Sequence, residues 1–237
     1  MKLIFKRTLV VASLLTCGAK SMAQSEWTKI DESKTVSKDS IQKNGYTLLF
    51  INQDTGFNKL TGTKMMDAFF TVYPKEAARF NANTLKKVTF IIDPGYEGVA
   101  AASDGIVRVN PKWMKNHPED IDVVTHEVMH IVQAYPGESG PGWLTEGIAD
   151  YVRFTFGVNN EAGKWKLPAY AATQSYENSY RITARFLVWI EKNKNVAIVD
   201  KLDHAMRTKT YTDDIWKKET GASLNELWKA YSENPVI

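Results

Sequence analysis

His126-Glu127-Val128-Met129-His130 constrains this chain more than any other stretch. On a helix, His126 and His130 stand one turn apart on one face, within reach of a single metal ion. Glu127 is rotated about 100° from His126, which suits a base beside a metal better than a ligand on it. The segment WLTEGIADY (143–151) follows and offers Glu146 as a third ligand, with Asp150 one turn further on. Between the two pieces, Pro136, Gly137, Gly140, Pro141 and Gly142 let the chain reverse, so that two helices pack side by side with Glu146 facing the metal.

These residue types match what a zinc-dependent hydrolase needs. Three protein ligands leave a fourth position for water, whose pKa the metal lowers towards ~7. A carboxylate takes the proton of that water and later delivers it to the leaving amine. His126, His130 and Glu146 are the expected ligands of one zinc ion, and Glu127 the expected base. Asp150, Glu138 and His204 are rivals for the third ligand position. Asp150 shares the face of Glu146 and can instead hydrogen-bond a ligand histidine from behind, or pair with Arg153 at the surface. Gln133 and Pro136 stand where a three-histidine pattern of the H-E-x-x-H-x-x-G-x-x-H type needs glycine and histidine, which disfavours that class.

Composition adds an address. Lys2, Lys6 and Arg7 precede a short apolar run at residues 8–16, and Ser21-Met22-Ala23 supplies small residues for cleavage before Gln24. Residues 1–23 therefore read as a signal peptide, with secretion or a periplasmic location as the consequence. Cys17, the only cysteine, is the alternative acylation site of a lipoprotein, but Thr16 is a poor neighbour for that processing. Four of the 30 basic residues (Lys2, Lys6, Arg7 and Lys20) and no acid lie in this segment, so the net charge of +3 falls to 26 against 27, or −1, on cleavage. The basic character belongs largely to the leader and gives no reason to expect a nucleic-acid or anionic-membrane partner. No later stretch is long and apolar enough to span a membrane.

Beyond a polar lead-in at 24–45, residues 46–237 read as a single α+β domain, with a small mixed sheet first and a helical part after it. Strands are expected at 46–52 and 85–93, a loop at 53–61, and an amphipathic helix at 63–80 with a bend near Pro74. Asp104-Gly105 predicts a hairpin between residues 99–103 and 106–110. Pro118 suits the first turn of the helix that carries both histidines and ends near Ala134, with Asn116 or His117 as its cap. Further helices are expected at 143–156, 177–192, 196–206, 213–218 and 223–231, the last opened by a capping box at Ser223 and Glu226. Trp143, Trp189 and Trp228 read as core.

Val123-Val124-Thr125 running into HEVMH, then Gln133-Ala134-Tyr135, then WLTEGIADYVR (143–153) resemble the plant basic secretory protein family and its bacterial relatives. VTFIIDPGYEGVAA (88–101), residues 107–113 and YRITARFLVWIE (180–191) extend the resemblance to roughly residues 45–235. It implies a zincin-like metallopeptidase fold and a peptidase activity, without a substrate. In such folds an edge strand at the cleft pairs with an extended substrate backbone. Residues 106–110, bounded by Ile106 and Asn110, are the first candidate for that edge, and 99–103 the second. Tyr180 is the expected donor to the oxyanion, with Tyr176 and His204 behind it. The chain is expected to act as a monomer on peptide or protein substrates. An amidase acting on glycopeptide or cell-wall material, or a secreted binding protein with a structural metal, are the rival readings.

Overall fold

Asn44 and Gly45 take φ values of 53° and 80° and turn the chain back on itself. They join strand β1 (Ser37–Lys43) to β2 (Tyr46–Asn52) as an antiparallel pair with Lys43 opposite Tyr46. Both residue types tolerate left-handed backbone, which this mirror-image hairpin turn requires. The structure, a computed structural model, describes residues 27–237; the expected signal peptide at 1–23, with Cys17, lies outside them. Residues from Lys34 onward form one unit. β1 corrects the expected featureless lead-in. Its side chains are polar and exposed almost throughout, so it carries no apolar signal and is held by its ladder on β2.

The sheet has five strands in the order β1-β2-β3-β5-β4, completed by β3 (Lys87–Ile92), β4 (Ala100–Ser103) and β5 (Ile106–Val109). β3 is central, parallel to both neighbours and buried from Val88 to Ile92. That is why it reads as an unbroken apolar run rather than an alternation. Asp104 and Gly105, at φ 52° and 74°, make the expected tight turn between β4 and β5. One expectation is overturned here. β5 pairs with β3 on one side and β4 on the other, so β4, not 106–110, is the edge.

Helix α1 (Lys59–Arg79) crosses from β2 to β3 and packs on β2. It begins earlier than its apolar periodicity suggests, because Asn58 Oδ1 accepts from the amides of Leu60 and Thr61 at 2.8 and 3.2 Å. It also continues through Pro74. A short helix α2 (Pro111–Asn116), capped by Asn110, replaces the expected lead-in to the histidine helix. His117 ends α2 rather than starting the next helix, and Pro118 falls in the turn that follows.

α3 (Val123–Gln133) carries the two histidines, packs against α1 and β4, and ends at Ala134 with φ 44°. Its N-terminal Asp122 is buried and does not cap the helix. Instead Oδ1 of Asp122 accepts from Thr125 Oγ1 and from the Val158 amide, each at 2.8 Å. This ties the start of α3 to the chain just beyond α4 (Gly142–Phe156). α4 lies between α3 and α5 (Tyr180–Asn193). At Gly147 a Cβ would stand 2.2 Å from Cγ2 of Thr183, so α4 and α5 touch backbone to side chain. The expected helix over 177–192 is interrupted: a 3-10 turn at Tyr176–Asn178 precedes Ser179 (φ 63°) and Tyr180 (φ 49°), and α5 starts only there.

α6 (Ile198–Arg207), α7 (Asp214–Thr220) and α8 (Leu224–Glu233) complete the helical part, and the Ser223–Glu226 capping box opens α8 as expected. Trp189 is buried, while Trp143 and Trp228 are partly buried against the same core. No helix among the described residues is long and apolar enough to cross a membrane.

Candidate active site

α3 and α4 present their functional side chains to one cleft of about 1000 Å³. His126 and Glu127 on α3 are buried, and His130 is partly so. Nε2 of His126 lies 3.2 Å from Nε2 of His130 and 3.2 Å from Oε2 of Glu146 on α4; His130 Nε2 is 3.5 Å from the same oxygen. Donors placed tetrahedrally around zinc at ordinary bond lengths stand about 3.3 Å apart. The set of two imidazole nitrogens and one carboxylate oxygen therefore fits a zinc ion by separation as well as by chemistry.

The far nitrogens are also occupied. His126 Nδ1 donates to Asp150 Oδ1 at 2.7 Å, and His130 Nδ1 donates to Gln133 Oε1 at 2.7 Å. Both acceptors lack a proton to give at those atoms, so each Nδ1 carries the proton, and the neutral imidazole has its lone pair on Nε2, facing the shared centre. Gln133 is itself held by donating from Nε2 to the Thr145 carbonyl at 3.0 Å. The sequence pattern around Gln133 speaks against a three-histidine site and for the family resemblance, but does not by itself assign Gln133 a partner. Its position three residues after His130, on the same helical face, was the available signal.

Asp150 is buried and turned inward to His126. Arg153 does not pair with it; Arg153 Nη2 is ion-paired to Asp120. Glu138 lies exposed on the loop after α3, and His204 is exposed on α6. Neither borders the cleft. Tyr176 packs on Trp143 and donates its hydroxyl to Asn225 at 3.0 Å, away from the histidines. Tyr180 does reach the site: its ring stacks over His126 at 6.0 Å between centroids, and it is 53% exposed. Its position depends on the contact at Gly147 and on left-handed backbone at Ser179 and at Tyr180 itself, features with no local sequence signature.

Charge in this pocket is unbalanced towards the negative. Burial disfavours a His126 cation, yet the Asp150 and Glu146 carboxylates outweigh it and push its pKa up to about 10. Burial also opposes ionisation of Glu146, but the two imidazoles bonded to it hold its pKa well below the usual carboxylate range. Glu127 is raised, first by burial and then by the neighbouring Glu146 and Asp150, against the pull of the histidines. Such a pocket gathers positive charge, and a divalent cation meets the same demand as a proton. The Tyr180 hydroxyl is pushed up chiefly by Glu146 and remains a protonated donor at neutral pH.

β4, which packs against α3, brings Ala100, Ala101 and Ala102 to the cleft, beside Val99 and Tyr96. The far end is formed by Trp113, His117, Trp165 and the Arg153–Asp120 pair. His117 stacks on Trp113 with 4.0 Å between ring centroids.

Among solved structures, a mutant two-domain M1 zinc metallopeptidase bound to L-tryptophan is similar, with a TM-score of 0.51 and 15% identity over 85% of this chain and 52% of that one. An aminopeptidase N family protein from Idiomarina loihiensis gives a TM-score of 0.50 and 10% identity, over 83% of this chain and 46% of that one. The chain spans about half the length of both, and at these identities the likeness shows the fold alone. A search of curated proteins found no match. The profile of the BSP family, described as peptidase of plants and bacteria, matches residues 43–231, and the chain belongs to that family.

Proposed function

We propose that this peptidase is an exported zinc metallopeptidase acting as a monomer, with residues 1–23 as its signal peptide and the rest of the chain from β1 onward as one catalytic domain. The observation that carries the reading is the convergence of His126 Nε2, His130 Nε2 and Glu146 Oε2, with both Nδ1 atoms held from behind. Zinc held there supplies Lewis acidity, polarising a peptide carbonyl and acidifying water. Asp150 and Gln133 fix the two imidazole tautomers, which supports ligand geometry and basicity. Glu127, buried at the cleft wall with a raised pKa, takes the proton of the attacking water and passes it to the leaving amine. Tyr180 donates its hydroxyl to the oxygen that gains charge at the tetrahedral stage. The edge of β4 pairs with the extended substrate backbone, and the peptide lies between that edge and α4.

The test is paired. Purified mature protein should hold about one zinc per chain and cleave peptides. Glu127→Ala should retain the metal and lose cleavage. Cleavage that survives this substitution would remove Glu127 from its role, and protein that binds no zinc would remove the metal reading altogether.

A further inference from the structure

The acids lining the cleft are already engaged. Asp120 pairs with Arg153, Glu146 and Asp150 bond the histidines, and Glu127 is the proposed base. Two cations remain. Lys164 and Arg181 both border the cleft, both are exposed, and neither side chain has a hydrogen-bond or ion-pair partner among the described residues. Unlike lysines scattered over a surface, each follows from a constrained backbone. Lys164 has φ 54°, in a loop closed by bonds from Gly163 to the Asn159 carbonyl and from Trp165 to the Asn160 carbonyl, each at 2.9 Å. A Cβ at Gly163 would stand 2.8 Å from the Glu119 carbonyl oxygen, so the loop is pressed onto the preceding turn. Arg181 directly follows Ser179 and Tyr180, at φ 63° and 49°. A left-handed non-glycine residue is strained and persists where the surroundings impose it, often at ligand-contacting positions.

The two cations also adjoin different parts of the cleft lining. Arg181 neighbours Tyr180, whose ring lies over His126. Lys164 precedes Trp165, whose ring sits 4.6 Å from the Arg153 guanidinium carbon. Arg153 follows Glu146 by seven positions on α4, or about 10 Å at 1.5 Å per residue. An extended peptide advances about 3.3 Å per residue, so that end of the cleft lies roughly three residues from the scissile bond.

Resting on the peptidase reading above, we propose that the cleft selects acidic peptides: Arg181 reads an Asp or Glu carboxylate close to the scissile bond, and Lys164 reads a second one about three residues away. The cations determine specificity and take no part in bond making. Each solvent-screened pair is expected to contribute about fivefold, and the preference should weaken as salt rises.

Matched fluorogenic peptides carrying Glu, Gln or Lys at each of three positions on either side of the cleaved bond provide the test. The expected result is a Glu-over-Gln preference in kcat/KM at one adjacent and one distant position, with Lys poorest. Lys164→Glu should reverse the order at the distant position only, and Arg181→Glu at the adjacent one only. The same peptides, titrated by fluorescence anisotropy onto the Glu127→Ala protein, report the preference without turnover. Binding preference with no cleavage by the unsubstituted protein would sink the peptidase reading and keep this one. Equal binding of the Glu, Gln and Lys series, or a preference that neither charge reversal moves, would overturn it.

Discussion

The two walls of the cleft are built on opposite terms. On the α3–α4 wall the three converging side chains are each engaged: the Nε2 atoms face Glu146, the Nδ1 atoms are held by Asp150 and Gln133, and Gln133 is held by the Thr145 carbonyl. Around the rest of the cleft the groups are open. β4 has one unpaired edge, Tyr180 is 53% exposed, and Lys164 and Arg181 lack partners among the described residues. The difference teaches where each task is placed. On the proposed reading, chemistry is put on regular helices and braced from behind, whereas recognition is put on an edge and beside left-handed positions that stay accessible.

Substitutions should respond to that division. The largest effect is expected at Glu127, where Glu127→Ala should lower kcat by about 10³-fold with zinc content unchanged, as read by steady-state kinetics beside metal analysis. Tyr180→Phe tests whether the open wall contributes anything to the chemical step. A loss of about 10²-fold in kcat with little change in KM is expected, and a pure KM effect would assign Tyr180 to recognition alone. Asp150→Asn should keep a hydrogen bond but weaken zinc affinity about 10- to 100-fold, measured by competition with a chromophoric chelator. Gly147→Ala pushes a methyl into Thr183 and should cost about 2 kcal/mol in urea unfolding; a neutral result would mean that α5 can shift, and with it Tyr180.

The smallest effect concerns Glu76 on α1, fully buried, with neither carboxylate oxygen hydrogen-bonded. It is the contrast case to Asp150: a carboxylate in the interior without a bracing partner. Burial raises its pKa well above the ordinary value of 4.5, with the His126 charge opposing. The folded state therefore binds a proton that the unfolded chain releases, and stability falls as pH rises above that ordinary value. Glu76→Met should add about 1 kcal/mol at neutral pH and flatten the decline between pH 5 and 8 in urea melts. A steeper decline in the variant would show that Glu76 is stabilised by something other than its protonated state.

How far these features could be read in the chain follows the same division. His126 and His130 share a face because helix periodicity fixes it, and periodicity is local information; Glu146 joins them through the packing of α4 on α3. The hairpin at Asp104-Gly105 was equally local, and it forms. Which of its strands becomes the edge was not, because β5 is claimed by β3 through a parallel register that pairs Thr89 with Ile106 across the fold. β1 escaped notice since an exposed edge strand needs no apolar residues, although Asn44-Gly45 was a hairpin signal in plain view. The break at Ser179 was invisible because neither Ser179 nor Tyr180 favours positive φ; only the packing of α5 on α4 demands it.

The missing side chain at Gly147 has a mechanical consequence. With Thr183 seated against its backbone, α4 and α5 have no compressible layer between them and behave as a single lever. Tyr180 and Glu146 are therefore expected to keep their spacing when a peptide enters the cleft. Under the proposed reading, any adjustment to a bulkier or thinner peptide is expected on the β4 side, with the helical jaw held fixed.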